Sequence, residues 1–461
     1  REPWAVQVIN WGYWGDVGIV ATPAYRERMK KQGVRSISVE EGMQAVERLL
    51  SSNLFQAAFV KAEPAALHAS GWRQDEMIVP SNGVAPRVEP VVETVVMTAA
   101  EKRRHESALQ DLDDYGKRLL LQAFQRMGVF ARVGEAHERD ALMKQLSIPE
   151  AYERLFDQLL NLLAAYLEPA DRRIAVKALP NEESRAGLPE HPELQPHVRL
   201  LDTCLAAYPD ILSGVTPATD ILFPDASVEL VENVYKNNGL VDALNRLMRD
   251  AVVAYVEARL PDLRAGEKVT LLEVGAGTGG SSAGILKALQ PYADIIDYVY
   301  TDISEHFVRY GARTYGRDYP FARFERLNID EDTAEREPCD LVLAANVLHA
   351  TRNIRSTLRR VKALLKTQGL LVLNEATSVE SFSSLTFGLL EGWWRYEDPS
   401  DRLPGGPLLS APMWKTVLEE EGFEHAGPVG DPEDGALLGQ HIIVGWSDGL
   451  NLRESLAEPV A

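Results

Sequence analysis

A glycine-rich turn carries the first sign of chemistry in this sequence. The run Leu271–Gly280 reads as an apolar strand that ends in closely spaced glycines, and a helix-like segment follows it. Glycine lets the backbone turn sharply and approach a ligand where a Cβ would clash. Asp302 ends the next apolar stretch and could accept hydrogen bonds from a ligand. The pattern predicts a cofactor pocket, although nicotinamide and flavin folds share such a turn.

His349 and Glu375 form a second group of residues that could do chemistry. His349 follows one apolar segment, and Glu375 stands at the end of the next. A carboxylate that accepts a hydrogen bond from one imidazole nitrogen fixes the tautomer and raises the basicity of the other nitrogen. We therefore predict that His349 is a general base and that Glu375 orients it.

Alternating strands and helices must position these groups. Strands are predicted over residues 269–274, 298–301, 324–327, 341–345 and 370–374, with later candidates at 424–429 and 441–444. Helices fit between the first five strands. The alternation predicts an α/β fold with a doubly wound parallel sheet. Ligands bind such sheets at the carboxyl ends of the strands, where the groups above fall.

Amphipathic helices fill the part of the chain before this sheet. Apolar residues from Leu109 to Phe124 recur at three- and four-residue spacing, as a helix with one buried face requires. Further helices are predicted over residues 142–146, 152–167, 197–207 and 227–236. No strand-rich block is evident between residues 100 and 245, so we predict a helical cap domain.

The chain, at 461 residues, is too long for one ordinary domain. The run Pro80–Pro90 holds prolines and a glycine without periodicity, which is typical of a linker. The predicted segments are an N-terminal unit over residues 1–68, a linker over 69–97, a helical cap over 98–245, an α/β core over 246–448 and a C-terminal linker over 449–461.

The composition limits the classes of partner. The formal net charge is −20, so phosphate repels the chain and a nucleic-acid partner is not expected. No run of about 18 apolar residues and no secretory signal are recognised, which predicts no membrane span and a cytoplasmic location. Cys204 and Cys339 lie far apart, as in a reducing compartment, and no Cys/His cluster has the spacing of a metal site.

The cofactor motifs together resemble the S-adenosylmethionine (SAM) pocket of class I methyltransferases. The resemblance lies in Glu273 before the first glycine, in Asp302 and in the run Leu327–Asp330. It implies a Rossmann-like fold in which Asp302 binds the ribose hydroxyls and Asn328 and Ile329 flank the adenine. The full set of implied SAM contacts is Glu273, Gly275, Ala276, Gly277, Gly279, Asp302, Ile303, Asn328, Ile329, Ala345 and Asn346.

Several independent motifs over residues 100–448 look like the carbon-methyltransferase domains of polyketide synthases. They are the run Ala344–Thr351 with a glutamate after the next strand, the run Thr386–Trp394, and the run Glu229–Tyr235 behind a Leu-Phe-Pro. One departure is Asn328, which stands where the family often has an acid. The Asn328 carbonyl can still accept from the adenine amine, so the departure predicts weaker selectivity rather than lost binding.

This resemblance implies a reaction and a partner. In the family a His–Glu dyad removes a proton from the α-carbon of a β-ketoacyl thioester, and the enolate takes a methyl group from SAM. The thioester hangs on the phosphopantetheine arm of an acyl carrier protein. Carried over, His349 is the base and Glu375 its orienter. Tyr235, Phe387, Trp393 and Trp394 are the implied substrate-binding residues, and no metal is needed.

Residues 1–68 resemble the C-terminal end of a ketoreductase domain of a polyketide synthase. The run Asn10–Gly15 and the helix-like run Glu41–Leu50 carry this resemblance. The nucleotide-binding glycines and the catalytic Ser/Tyr pair of that family do not occur in this segment. The resemblance therefore implies a piece of a larger multienzyme whose other domains are partners of the methyltransferase.

Two other functions remain open from the sequence. Oxygen methylation of a β-hydroxyl or an enol would use a similar fold and the same kind of base. An inactive scaffold domain is the alternative of another class. The intact glycines, Asp302 and the His349/Glu375 pair argue against the scaffold.

Overall fold

The computed structural model of the chain describes residues 7–17, 21–50, 56–63, 66–67, 77–81, 84–85, 98–170, 173–180, 191–235, 239–331, 336–429 and 439–453. The findings below concern these residues. They form an N-terminal unit, a cap and a large α/β core, and the last two together build the candidate site.

The strands, in chain order, are β1 (Val8–Trp11), β2 (Gln56–Phe59), β3 (Met77–Pro80), β4 (Ala136–Glu138), β5 (Leu167–Ala170), β6 (Arg173–Val176), β7 (Val269–Val274), β8 (Ile296–Asp302), β9 (Ala322–Arg326), β10 (Cys339–Ala345), β11 (Leu365–Ala376), β12 (Phe423–Val429), β13 (Gln440–Ser447) and β14 (Leu450–Arg453). The α-helices are α1 (Pro23–Lys31), α2 (Val39–Leu50), α3 (Ala99–Arg126), α4 (Arg139–Gln145), α5 (Glu153–Leu162), α6 (Gln195–Leu212), α7 (Ala218–Leu222), α8 (Glu229–Tyr235), α9 (Gly239–Arg259), α10 (Ser282–Leu289), α11 (Glu305–Tyr315), α12 (Ile354–Ala363), α13 (Ser381–Leu385) and α14 (Ala411–Glu420).

The N-terminal unit is a small two-stranded arrangement. Strand β1 pairs in parallel with β2, and the helix-like run Glu41–Leu50 is confirmed as part of α2. Ser38 and Glu41 exchange hydrogen bonds between side chain and backbone at the start of α2, which is a capping box. The unit exposes Trp11 and Met43.

The cap is mainly helical, and it also contains three short strands that the sequence analysis did not identify. Strands β4, β5 and β6 form a three-stranded antiparallel sheet, and the helix predicted over residues 152–167 ends before β5 begins. These strands have three or four residues, too few for an alternating pattern to register in the sequence. The carboxylate of Glu135 holds the turn before β4, because the backbone N–H groups of Phe130 and Ala131 donate to it.

The core is a seven-stranded sheet in the order β12-β13-β11-β10-β7-β8-β9. Strands β7 to β11 are parallel, and β13 runs antiparallel to both β11 and β12. All seven predicted strands are confirmed, and this is the α/β sheet expected for a class I methyltransferase. The chain passes from β7 outward to β8 and β9 and then returns to β10, so the switch point lies between β7 and β10, where such sheets bind ligands.

The amino-terminal edge of the sheet contains a buried ion-pair cluster around Asp340. Its carboxylate accepts from the Thr270 backbone and hydroxyl at 2.9 Å, from Lys366 at 2.8 Å and from Arg259 at 3.2 Å. These partners hold the pKa of Asp340 below its ordinary value although burial opposes the shift. The cluster ties α9 to three neighbouring strands at the edge opposite the predicted cofactor motifs.

The cap and the core share one hydrophobic cluster. Leu385, Leu389 and Trp394 belong to the core in sequence, yet they pack among the cap side chains. The hydroxyl of Tyr208 donates to the Leu385 carbonyl at 2.8 Å, and Arg154 donates to the Trp394 carbonyl at 2.6 Å. The segment after β11 therefore fixes the cap over the carboxyl edge of the sheet.

Parts of both predicted linkers are ordered strands, which corrects the linker interpretation of residues 77–80 and 450–453. Strand β3 pairs antiparallel with β14. The Ser81 backbone donates to the Gly449 carbonyl and the Ala85 backbone donates to the Thr367 carbonyl, both at 2.8 Å. We call this pairing the β3–β14 clasp. Neither four-residue strand is recognisable alone, because each depends on a partner far away in the chain.

The clasp should stabilise the catalytic part of the chain. A chain that begins at Met97 keeps the helix cap at Thr98 but loses β3, whereas one that begins at Ala69 keeps both. Each lost hydrogen bond costs about 0.5–1.5 kcal/mol, so we expect the shorter chain to be less stable by roughly 2–4 kcal/mol. Urea unfolding of the two chains measures the difference, and equal free energies of unfolding would contradict a stabilising clasp.

Candidate active site

The turn after β7 takes its shape from three glycines. Gly275, Gly277 and Gly279 have φ values of 65°, 58° and 78°, in the left-handed region that favours glycine. A Cβ at Gly275 would lie 2.5 Å from Val347, and one at Gly279 would lie 2.5 Å from the hydroxyl of Tyr315. Gly277 has no described neighbour within 4 Å of that position. The loop is therefore closed against the protein at its two ends and open to a ligand at its middle.

Two hydrogen bonds tie this loop to the neighbouring strand β8. The Ala276 backbone donates to the Thr301 carbonyl at 2.8 Å, and the Tyr300 hydroxyl donates to the Gly277 carbonyl at 2.7 Å. Ala276 and Gly277 are thereby held at the end of β8, beside Asp302. The predicted cofactor residues of the two strands are brought together.

Glu273 lies beneath the glycine loop with protein partners. Its side chain is buried, and its carboxylate accepts hydrogen bonds from Ser282 and Tyr298 at 2.6–2.9 Å. Burial raises the pKa of Glu273 to about 7, although these hydrogen bonds oppose the shift. Glu273 braces α10 against the sheet, and its predicted contact with the cofactor stays a prediction.

Asp302 lies at the end of β8 with both carboxylate oxygens engaged. One oxygen accepts from the Gly277 backbone at 2.9 Å and the other from the Ser304 backbone at 2.8 Å. Burial raises the pKa of Asp302. A carboxylate has further lone pairs, so Asp302 can still accept from ligand hydroxyls. Ile303 beside it is 56% exposed, which offers an apolar face next to the acceptor.

Asn328 and Ile329 follow β9 on the same edge. The Leu327 backbone donates to the Asp302 carbonyl at 3.0 Å and holds this segment beside β8. The Asn328 amide donates to Glu331 at 3.0 Å, and its carbonyl accepts from the Asp330 backbone at 3.1 Å. Ile329 is buried. The segment is thus fixed by its own turn, with Asn328 half-buried at the surface of the edge.

Ala345 ends β10, and Asn346 turns the chain away from the sheet. Asn346 has a φ of 53°, a left-handed conformation that asparagine adopts more easily than most residues. Its backbone donates to the Asn374 carbonyl at 2.8 Å, and its side-chain carbonyl accepts from the Ala376 backbone at 2.9 Å. The turn therefore points the next residues, including His349, along the end of β11.

His349 and Glu375 meet as predicted. His349 Nδ1 lies 2.5 Å from Glu375 Oε2, and both side chains are buried. The second oxygen of Glu375, Oε1, accepts from the backbone of Val347 at 3.2 Å and of Leu348 at 2.9 Å. One carboxylate therefore holds both the imidazole and the backbone turn that carries it.

Arg402 is a positioning residue that the sequence did not indicate. Its guanidinium donates to the His349 carbonyl at 2.8 Å and to the Thr351 carbonyl at 3.2 Å. Asp398 pairs with Arg402 at 2.8 Å and also accepts from the Ile354 backbone at 2.6 Å. The pair fixes the backbone on the far side of His349. No signal in the sequence could have shown it, because Arg402 lies 53 positions after His349.

A cavity of about 430 Å³ opens between the cap and the carboxyl edge of the sheet, and His349 lies in its wall. Phe387 and Trp393, both predicted to bind substrate, line it together with Asn346. The Trp393 ring contacts the His349 ring edge to face at 5.9 Å between centroids. The cavity brings the predicted base and an apolar wall into one space.

Of the other two predicted substrate residues, one does not line this cavity and the other cannot be compared with it. Trp394 is buried in the cap cluster, and its indole donates to the Gly388 carbonyl at 2.7 Å, so its contacts are structural. Tyr235 ends α8, but its side chain lies outside the described residues and its predicted role stays a prediction. Val234, one position earlier, lines the cavity.

Two kinds of feature are absent from the described part of the chain. Its helices include none long and apolar enough to cross a membrane. Its histidine, cysteine and carboxylate side chains form no group of three or more that could hold a metal ion.

Comparison with known proteins identifies the class of this site. A methyltransferase domain family matches residues 272–371, which span the strands from β7 to β11. The solved structure of the DszA carbon methyltransferase is 41% identical, with a TM-score of 0.72, and the match covers 80% of this chain and 100% of that one. The CurJ carbon methyltransferase is 30% identical, with a TM-score of 0.67 and coverage of 75% and 93%.

A longer relative extends the match over nearly all of the chain. The polyketide synthase PksM of Bacillus subtilis (strain 168) is 38% identical over 97% of this chain, and the match covers 11% of that synthase. The chain thus spans about a tenth of the length of the curated relatives it matches first.

An open glycine loop beside a buried acceptor and an exposed apolar side chain fits SAM, and the family matches agree. The chain is a SAM-dependent methyltransferase. The identity to DszA and CurJ over nearly their whole length narrows the class further. The chain belongs to the carbon methyltransferase domains of polyketide synthases. The ketoreductase resemblance of residues 1–68 stays a prediction.

Replacing Asp302 should weaken SAM binding. Asp302→Ala removes a charged acceptor worth about 1.5–3 kcal/mol and also frees the Gly277 backbone, so the dissociation constant should rise roughly tenfold to a hundredfold. Isothermal titration calorimetry with SAM measures it. Asp294→Ala, an exposed change before the same strand, is the control. An unchanged SAM affinity of Asp302→Ala would show that Asp302 does not contribute to SAM binding.

The buried Glu273 should make stability depend on pH. Its raised pKa means that the folded protein holds this proton more tightly than the unfolded chain does. The free energy of unfolding should therefore fall between about pH 4.5 and pH 7, by on the order of 1–3 kcal/mol. Glu273→Gln has no charge to bury, so its urea-unfolding curves should lack this part of the fall. The surface change Glu150→Gln should follow the unaltered chain; equal pH slopes for all three proteins would refute the argument.

Proposed function

We propose that this domain methylates the α-carbon of a β-ketoacyl thioester carried on the phosphopantetheine arm of an acyl carrier protein. The observation that carries the proposal is the buried His349–Glu375 pair in the wall of the cavity between cap and core. The named carbon methyltransferases DszA and CurJ support the choice of carbon as the acceptor.

The pair has the arrangement of a general base. Glu375 Oε1 accepts from two backbone N–H groups, so Oε2 is the oxygen that faces the imidazole. Because a carboxylate can only accept, Nδ1 carries the hydrogen of this contact and Nε2 is left without one. The charge of Glu375 also stabilises the imidazolium that forms when Nε2 takes a proton.

The proposed substrate matches this base. An α-proton between a ketone and a thioester is acidic enough for an imidazole when donors stabilise the enolate oxygen. Bound SAM would supply an electrophilic methyl group, and the open loop at Gly277, Asp302 and Ile303 would hold it. Asn346 and Trp393 lie in the same cavity wall as His349 and are the nearest candidates to orient the acyl group.

The carrier protein and neighbouring synthase domains are the proposed partners. The relatives that match this chain are far longer polyketide synthases, which supports a substrate delivered by another domain. The cavity wall combines apolar side chains such as Leu109, Leu390 and Leu408 with a few polar groups, as a carrier-bound acyl chain would need.

Intact-mass analysis tests the reaction. The chain is incubated with SAM and a β-ketoacyl carrier protein, and the carrier should gain the mass of one methyl group. Fragmentation of the released product then assigns the methyl to carbon or oxygen. A methyl on oxygen would replace the proposal by its alternative, and no transfer to any β-ketoacyl carrier would refute both.

Replacing the base should abolish most of the turnover and leave SAM binding intact. His349→Ala should lower the rate by roughly 10²–10⁴ while calorimetry shows nearly unchanged SAM affinity, because the His349 side chain is not among the predicted cofactor contacts and most of these lie on other strand ends. His425→Asn removes an exposed histidine on β12 and should not change the rate. Methylation by His349→Ala at the rate of the unaltered chain would exclude the mechanism.

Glu375→Gln should lower the rate of methyl transfer about as much as His349→Ala does. The two backbone donors need the amide oxygen, so the NH2 group would face His349 Nδ1 and force the hydrogen onto Nε2. The double variant should be no slower than either single variant, since the two residues act as one unit. Additive losses in the rate would show that they act separately.

A further inference from the structure

Two polar side chains in the cavity wall have no role in the proposed methyl transfer. They are Glu380, which follows β11, and His197, which belongs to α6 of the cap. Among the residues that the structure describes, none forms a hydrogen bond with the Glu380 carboxylate or with the His197 ring. Polar groups in a largely apolar cavity usually have hydrogen-bond partners. We therefore look to a bound ligand as the partner of these two side chains.

The position of Glu380 depends on Gly439 across the cavity wall. Gly439 has a φ of 60°, and a Cβ there would lie 2.7 Å from Glu380 Oε1 and 2.4 Å from the hydroxyl of Ser378. The missing side chain leaves the space that the carboxylate and the hydroxyl occupy. Glu380 is thus accommodated within the wall of the cavity.

The surroundings of Glu380 favour its neutral form. Burial raises the pKa of Glu380 to about 7, and the negative charge of Asp113 adds to the shift. Lys117 pairs with Asp113 at 2.5 Å and offsets part of its charge, so burial is the main cause of the raised pKa of Glu380. Ser381 also donates to Asp113. Near neutral pH the Glu380 carboxyl group can therefore donate a hydrogen bond to a carbonyl or accept one from a hydroxyl.

His197 provides the second polar group, on the cap side. Its ring lies 4.8 Å from the ring of Phe382, which also lines the cavity two positions after Glu380. Burial lowers the pKa of His197 to about 4, so the ring is neutral at neutral pH. A neutral imidazole has one donor and one acceptor nitrogen and can serve either kind of oxygen.

The choice of ligand follows from the free energy that a saturated acyl chain in the cavity would cost. An alkyl chain in the cavity would take water away from both groups and leave them unpaired, at a cost that a chain with an oxygen nearby avoids. Building on the proposed function, we infer that Glu380 and His197 form a subsite for an oxygen of the acyl chain beyond the β-keto thioester. The favoured substrates are β-ketoacyl chains that carry a further hydroxyl or carbonyl group, rather than saturated ones.

Two matched substrates test the subsite. The carrier protein is loaded with a β-ketohexanoyl or a δ-hydroxy-β-ketohexanoyl group, and kcat/KM for methyl transfer is measured by intact mass. The unaltered chain should prefer the hydroxylated substrate about tenfold, the value of one good hydrogen bond. No preference would overturn the inference while leaving the proposed function intact, because the plain substrate would still be methylated.

The variants assign the preference to these side chains. Glu380→Leu and His197→Phe keep the volume and, for His197, the contact with Phe382; each should reduce the preference toward unity. Glu380→Gln is the control, because an amide can still donate and accept, and it should retain most of the preference. If Glu380→Leu and His197→Phe slow both substrates equally, the groups serve the pantetheine arm common to both, and the inference is wrong.

A binding measurement separates this inference from the proposed function. Amide analogues of the two pantetheine thioesters are titrated calorimetrically in the presence of S-adenosylhomocysteine, which has no methyl group to transfer. The hydroxylated analogue should bind about tenfold more tightly, and Glu380→Leu should remove the difference. Equal affinities would overturn the subsite even if the carrier protein proves not to be methylated on carbon.

Discussion

The arrangement of the site depends on one buried carboxylate at the end of β11. Glu375 accepts from Val347, Leu348 and His349 at the same time, so the turn after β10 cannot move without losing three hydrogen bonds in a place that water does not reach. Val347, held in this way, packs over Gly275 and closes the glycine loop from above. The cofactor loop and the imidazole are therefore set by the same residue, and their separation is a property of the sheet rather than of flexible loops.

Two further constraints keep that carboxylate effective. The segment after β11 packs into the cap, which covers the carboxyl edge of the sheet and leaves a cavity whose wall includes His349. The Arg402–Asp398 pair binds the backbone carbonyl of His349, whereas Glu375 binds its ring. A base held at both its ring and its backbone loses little entropy when substrate arrives.

The sequence predicted the core well because each of its strands carries its own signal. The strands β7, β10 and β11 are apolar runs that end in glycine, asparagine or glutamate. Because ligands bind at the carboxyl ends of parallel strands, this pattern predicted that His349 lies beside Glu375. The same reasoning did not show that the Glu273 carboxylate accepts hydrogen bonds from Ser282 and Tyr298. It missed β4, β5 and β6 because strands of three or four residues have no pattern of their own, and it missed the clasp and Arg402 because these depend on partners distant in sequence. It also grouped Trp393 with Trp394, because spacing alone does not show which of two adjacent indoles faces a cavity.

The β3–β14 clasp has a consequence for how the domain is attached. It meets β11 at Thr367, within the bulge of that strand where Gln368 has a φ of 61°. The regular part of β11 from Leu370 to Glu375 then spans roughly 17 Å at about 3.3 Å per residue. The chain thus enters and leaves the core near the amino-terminal edge of the sheet, whereas the reacting groups lie at the carboxyl edge. Attachment at this edge keeps the opening of the cavity clear of the two strands through which the chain enters and leaves the core. Any exchange of the domain as a unit would have to retain both strands of the clasp, because each is the other's partner.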